Sequence, residues 1–74
     1  MPKLPRVTAR QITSVLESVG FRLVRQSGSH MIYKNSAGRR VTVPFHAQKT
    51  LHPKLLKSIL RDADIKVVDL EKLL

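Results

Sequence analysis

The chain is predicted to be an α+β sandwich, a three-stranded antiparallel sheet packed on two helices with a possible short third helix at the C-terminus. Three observations predict it: one apolar stripe of helical period near the start, three short alternating segments separated by turn residues, and a second helical stripe behind a proline. With 74 residues the chain is expected to be one domain, residues 1–74, near the lower limit at which a chain buries enough apolar surface to fold without cross-links.

The first helix is predicted from Thr8. Gln11 stands three residues later, a capping-box pattern, and Ile12, Val15, Leu16 and Val19 then recur at i, i+3, i+4 and i+7. Gly20 supplies the stop. Extended segments follow at Phe21–Gln26, Ser29–Lys34 and Arg39–Phe45, separated by Ser27-Gly28 and by Asn35-Ser36-Ala37-Gly38. Strict alternation puts Phe21, Leu23, Met31, Tyr33, Val41 and Val43 on the face toward the helices. Arg22, Val24, His30, Ile32, Lys34, Arg40 and Thr42 then share the opposite face.

Pro53 suits the first turn of a second helix whose stripe is Leu55, Leu56, Ile59, Leu60 and Ala63, ending near Asp64. Val67, Leu70, Leu73 and Leu74 repeat at helical spacing and predict a short terminal helix.

Composition narrows the partners. There is no cysteine, hence no disulfide framework and no thiolate metal site, as is typical of a reducing cytosol. No stretch approaches the roughly 18 apolar residues of a membrane span, and Met1 to Pro5 is too short for the apolar core of a signal peptide. A cytoplasmic protein without a membrane partner is expected. Internal repeats and low-complexity tracts are absent.

The net charge of +9 is unevenly placed: residues 1–61 carry twelve Lys or Arg against Glu17 alone, while residues 62–74 carry Lys66 and Lys72 against Asp62, Asp64, Asp69 and Glu71. A basic body of this kind attracts polyanions and gains free energy by releasing their counterions, so nucleic acid is the expected partner. An interfacial membrane helix is disfavoured because no basic segment carries bulky Trp or Phe anchors.

Few residues can do chemistry. Only Glu17 among the five acids lies in the body, which argues against a carboxylate pair or a two-metal site, and no nucleophile elbow or phosphate-binding glycine loop is present. Acid–base work falls to histidine. His30 ends the run Arg25-Gln26-Ser27-Gly28-Ser29-His30, on the face away from the helices, with Lys34, Arg40 and Thr42 as expected neighbours. An imidazole exchanges protons close to neutral pH, and RNA cleavage by its own 2′-hydroxyl needs such a group beside a cation that stabilises the charged phosphorane. A plain surface histidine contacting backbone or phosphate is the bland alternative.

His46 and His52 do not form a compact ligand pair with His30, so no metal and no cofactor is expected; phosphate contact or helix capping suits both better. Arg25, Ser29, Lys34, Arg39, Arg40, His46, Lys49, Lys54 and Lys57 are the candidate RNA contacts, for which solvated charge is the alternative reading of the cations. Tyr33, three positions from His30 along a strand, falls on the opposite face and is expected in the core.

The strings Gly20-Phe21, Arg25-Gln26-Ser27-Gly28-Ser29-His30, Val41-Thr42-Val43-Pro44-Phe45-His46 and Leu55-Leu56-Lys57-Ser58-Ile59-Leu60-Arg61 resemble the HicA-type toxins, also called YcfA-like proteins, over nearly the whole chain. The resemblance implies a fold like the double-stranded-RNA-binding domain, metal-independent mRNA interferase activity, and neutralisation by a HicB-type antitoxin. It puts the catalytic histidine at His30, with Gly28 and Ser29 shaping the turn before it. A free monomer that forms a heteromer with its antitoxin is expected. Two departures stand out: Pro53-Lys54 where members often have Gly-Thr, and a longer tail from Ile65.

The leading expectation is therefore a toxin endoribonuclease in which His30 acts as base or acid and Lys34 or Arg40 steadies the phosphate. A non-catalytic RNA-binding module is the first rival. A protein-interaction module docking through Val24 and Ile32 is the second, and the same patch would serve an antitoxin.

Overall fold

The computed structural model describes residues 4–46 and 49–74. The reading of the first residues as too short for a signal peptide therefore falls partly outside the described residues. Helix α1 (Ala9–Ser18) is followed by strands β1 (Arg22–Ser27), β2 (His30–Lys34) and β3 (Arg40–Pro44), then by α2 (Pro53–Ala63) and α3 (Val67–Leu73). The strands form one antiparallel sheet in the order β1-β2-β3. The architecture is that of a double-stranded-RNA-binding-like α+β fold with an added terminal helix.

The ends of α1 follow from its sequence. Thr8 is the N-cap, its hydroxyl accepting from the Gln11 N–H at 3.2 Å while the Gln11 side chain accepts from the Thr8 N–H at 2.9 Å, so two orphan donors are satisfied reciprocally. At the far end Gly20 takes φ +99 and lets the Phe21 N–H donate to the Leu16 carbonyl, closing the helix. α2 starts on His52, whose Nδ1 accepts from the Lys54 N–H at 3.1 Å. Of the two histidines expected to contact phosphate or cap a helix, this one is a cap. α2 ends on Asp64, in the left-handed region at φ 58.

The core lies between the sheet and the helices. Ile12, Leu16, Val41, Val43, Leu56, Ile59 and Leu70 are among its fully buried side chains, and the bridge from Thr8 to Thr50 clips the N-terminal segment to the stretch before α2. The helices lie mainly over β2 and β3; every residue of β1 is exposed. Leu23, expected to pack against the helices, is accordingly 42 % exposed. Val24 departs further from strict alternation. It is the extra residue of a β-bulge, because Leu23 pairs with Tyr33 whereas Arg25 pairs with Ile32.

The fold has two unlike ends. Phe45 N–H donates to the Ser29 carbonyl and Leu51 N–H to the Val7 carbonyl, which gathers His30, the start of α1 and the start of α2 at one end. The β2–β3 turn and the last turns of α1 and α2 meet at the other, where Val19, Asn35, Arg39, Ala63 and Asp64 line a common groove.

Tyr33 is buried on the helix side, as expected of a core residue. Burial pushes its phenol above the ordinary value of 10.0, the Glu17 carboxylate pushes the same way, and the Thr13 hydroxyl opposes them. The raised value means that above pH 10.0 the unfolded chain has released a proton that the folded chain still holds, so stability is lost as pH rises through the folded value. Denaturant melts should show the Tyr33→Phe protein losing less stability than wild type between pH 9 and pH 11; parallel losses would place the phenol in contact with water.

Candidate nucleic-acid interface

The β1–β2 hairpin sets the position of His30. Ser27 pairs directly with His30, so the loop is the two residues Gly28 and Ser29. Such loops match the twist of the strands when the first central residue has positive φ, and Gly28 supplies it at +58. Nothing lies within 4 Å of where a Cβ would project, so glycine is needed there for its backbone rather than for space. The Gln26 side-chain amide braces the loop by donating to the Gly28 carbonyl at 3.3 Å.

Directly paired residues share a face, so the register defines the outer surface of the sheet. It consists of three rungs: Ser27–His30–Pro44, then Arg25–Ile32–Thr42, then Arg22–Lys34–Arg40. His30, Arg25, Arg22, Lys34 and Arg40 are all exposed, and Ile32 is half-buried between them. No carboxylate stands on these rungs. Like charges directly opposed across strands are unfavourable, and the third rung opposes three of them without compensation from an acid on this face. A polyanion would relieve that repulsion.

The register corrects one expectation. Lys34 and Arg40 share the face of His30 but stand four residues along the strand from it, roughly 13 Å at the rise of an extended strand. Neither is its neighbour. Thr42 is diagonal to His30, and the residues directly across are Ser27 and Pro44. Arg22, absent from the candidate contacts, belongs with Lys34 and Arg40. The signal was in its alternation with Val24, but only the pairing of Arg22 with Lys34 makes it part of a cluster.

The other candidates divide by location. Ser29 is half-buried in the hairpin loop, where its carbonyl supports β3 through Phe45. His46 and Lys49 are exposed between β3 and α2, with the Lys49 N–H donating to the His46 carbonyl at 2.9 Å. Lys54 and Lys57 are exposed on the first turns of α2. Lys49, Lys54 and Lys57 extend positive charge around the His30 end and toward the helix side. Arg39 is elsewhere. Its guanidinium donates to the Asp62 carbonyl at 3.3 Å and lies 3.8 Å from the Asp64 carboxylate, at the C-terminal end of α2 where a cation is favoured.

The three aromatic residues of the chain are not on the outer face: Phe21 and Tyr33 are buried and Phe45 packs partly against the core. A stacking platform for bases is missing there, and the exposed chemistry suits phosphates. Among the described residues no three His, Asp or Glu side chains group to hold a metal ion, and no helix is long and apolar enough to cross a membrane.

A family model described as the HicA toxin of bacterial toxin–antitoxin systems matches residues 9–65, from the first residue of α1 to just beyond α2. A comparison with curated proteins finds no match.

Proposed function

The chain belongs to the HicA toxin family of bacterial toxin–antitoxin systems, and from that membership we propose that it is an endoribonuclease that cuts mRNA in the cytoplasm with His30 as its acid–base group. Membership implies an antitoxin partner; a HicB-type protein is the form proposed for it. The observation that carries the enzymatic reading is the outer sheet face, where one exposed histidine shares a surface with four cations and no carboxylate.

On this reading the phosphate backbone lies across the rungs. His30 takes the proton of a ribose 2′-hydroxyl, the 2′-oxygen bonds to phosphorus, and the bond to the 5′-oxygen breaks as that oxygen receives the proton that His30 removed. The products are a 2′,3′-cyclic phosphate and a 5′-hydroxyl, so atoms balance without water, metal or cofactor. The cations stabilise the extra negative charge of the phosphorane. In-line attack needs a sugar free to reorient, so single-stranded message is the expected substrate. With phosphate rather than base contacts on the face, little sequence preference is expected.

The antitoxin would act by covering His30 and by offering acidic groups to the basic face. The exposed Val24 and the half-buried Ile32 give it apolar surface to cover.

A long single-stranded RNA incubated with the purified protein in EDTA at low salt tests the reading. Fragments ending in 2′,3′-cyclic phosphate are expected, with yield falling steeply as salt rises. Intact RNA whose mobility is nonetheless shifted by the protein would leave a non-catalytic RNA-binding module.

A further inference from the structure

The ribonuclease reading leaves open which cation faces the scissile phosphate, since Lys34 and Arg40 are two rungs from His30. We propose that Arg25 holds the scissile phosphate beside His30, on the face where the hairpin register places it. The inference rests on the ribonuclease reading and deepens it.

The bulge sets Leu23 and Arg25 on opposite faces. In an unbroken strand, residues two apart share a face, and Leu23 shares the face of its partner Tyr33, toward the helices. Arg25 would then point the same way. One extra residue at Val24 reverses this: Arg25 pairs with Ile32, which lies between His30 and Lys34 on the outer face. The shift persists to the hairpin, so Ser27 pairs with His30. Bulges serve to re-aim a side chain in this way.

Arg25 thereby stands diagonally across from His30. Diagonal neighbours on adjacent strands have Cβ atoms about 7–8 Å apart, within the combined reach of a guanidinium and an imidazole that share one phosphate between them. The guanidinium fork matches two non-bridging oxygens of a phosphate, which an ammonium does not. Arg25 is exposed, and no carboxylate of the described residues pairs with it. The positive charge on the face is thus divided. Arg25 acts where charge builds up in the transition state, whereas Arg22, Lys34 and Arg40 grip the backbone further along the strand.

Steady-state cleavage of one single-stranded RNA by wild type, Arg25→Ala, Arg25→Lys and Lys34→Ala separates the two roles, with circular dichroism melts to show that each protein is folded. For Arg25→Ala we expect kcat to fall about a hundredfold with KM within about threefold, the size of effect seen when one donor to a developing oxyanion is removed. Arg25→Lys should recover only part of it. Lys34→Ala should show its deficit in KM. An Arg25→Ala protein whose kcat equals wild type, or whose loss lies wholly in KM, overturns the assignment while leaving His30 chemistry standing. A wild-type protein that makes no fragments overturns both.

Discussion

The His30→Ala protein is expected to bind single-stranded RNA and leave it intact. A positioned general acid–base group contributes about 10²–10⁴-fold to rate, so the fragments made by wild type in minutes should be absent after hours. Affinity should change little, because His30 is one exposed group among the several cations of the face. The fold should not change either: substitutions at exposed positions away from caps and turns usually lie within about 0.5 kcal/mol, and His30 is the first residue of β2 rather than part of the hairpin loop. Cleavage assays and gel shifts on the same preparation read both quantities. Wild-type cleavage by His30→Ala would remove the imidazole from the mechanism and turn attention to His46, the histidine at the same end of the sheet.

The largest effect on stability is expected from Leu70→Ala. Leu70 is fully buried, although α3 is only seven residues long and lies beyond the region matched by the family model. Truncating a buried leucine costs about 2–5 kcal/mol, and a domain of this length has about 4–11 kcal/mol in total at about 0.05–0.15 kcal/mol per residue. The melting temperature should fall by roughly 10–25 °C. Val68, half exposed on the same helix, is the internal comparison, and its replacement by Ala should cost no more than about 0.5 kcal/mol. A Leu70→Ala protein that melts with wild type would detach α3 from the cooperative unit. With Leu70 buried, the longer tail completes the core against α1.

Much of this fold was legible in local chemistry. Thr8 with Gln11, the i, i+3, i+4 spacing of Ile12, Val15 and Leu16, and Pro53 before Leu56 and Leu60 all describe features decided within a few residues, and both helices lie where those signals put them. The strands agree to within a residue or so for the same reason. What was not legible depends on pairing between distant residues. Val24 looks like any strand residue until Arg25 is matched with Ile32, so strict alternation gives no sign of the bulge or of the face of Arg25. Leu23 was expected to be buried because its period is right, but the helices do not extend over β1.

Arg39 illustrates the same limit for the site. Beside Arg40 in the sequence it reads as one more phosphate contact, and only the return of α2 brings Asp62 and Asp64 within its reach. The separation of Lys34 from His30, by contrast, follows from the sequence alone once four residues of strand are converted into length. In the terminal segment, Leu73 and Leu74 keep helical spacing yet remain exposed, because a seven-residue helix has one buried position, Leu70, and little surface left to bury the rest.

The two unlike ends of the molecule bear on kinetics. Two helices begin at the His30 end, each contributing about half a positive charge there, and the Arg22–Lys34–Arg40 rung carries the positive surface on toward the other end. The outer face of the sheet is therefore positive along its length. In the field of a polyanion the protein is turned before it touches, so a larger share of random collisions arrive with the basic face foremost. That advantage belongs to the association rate, fades with ionic strength, and requires no contact that the bound state keeps.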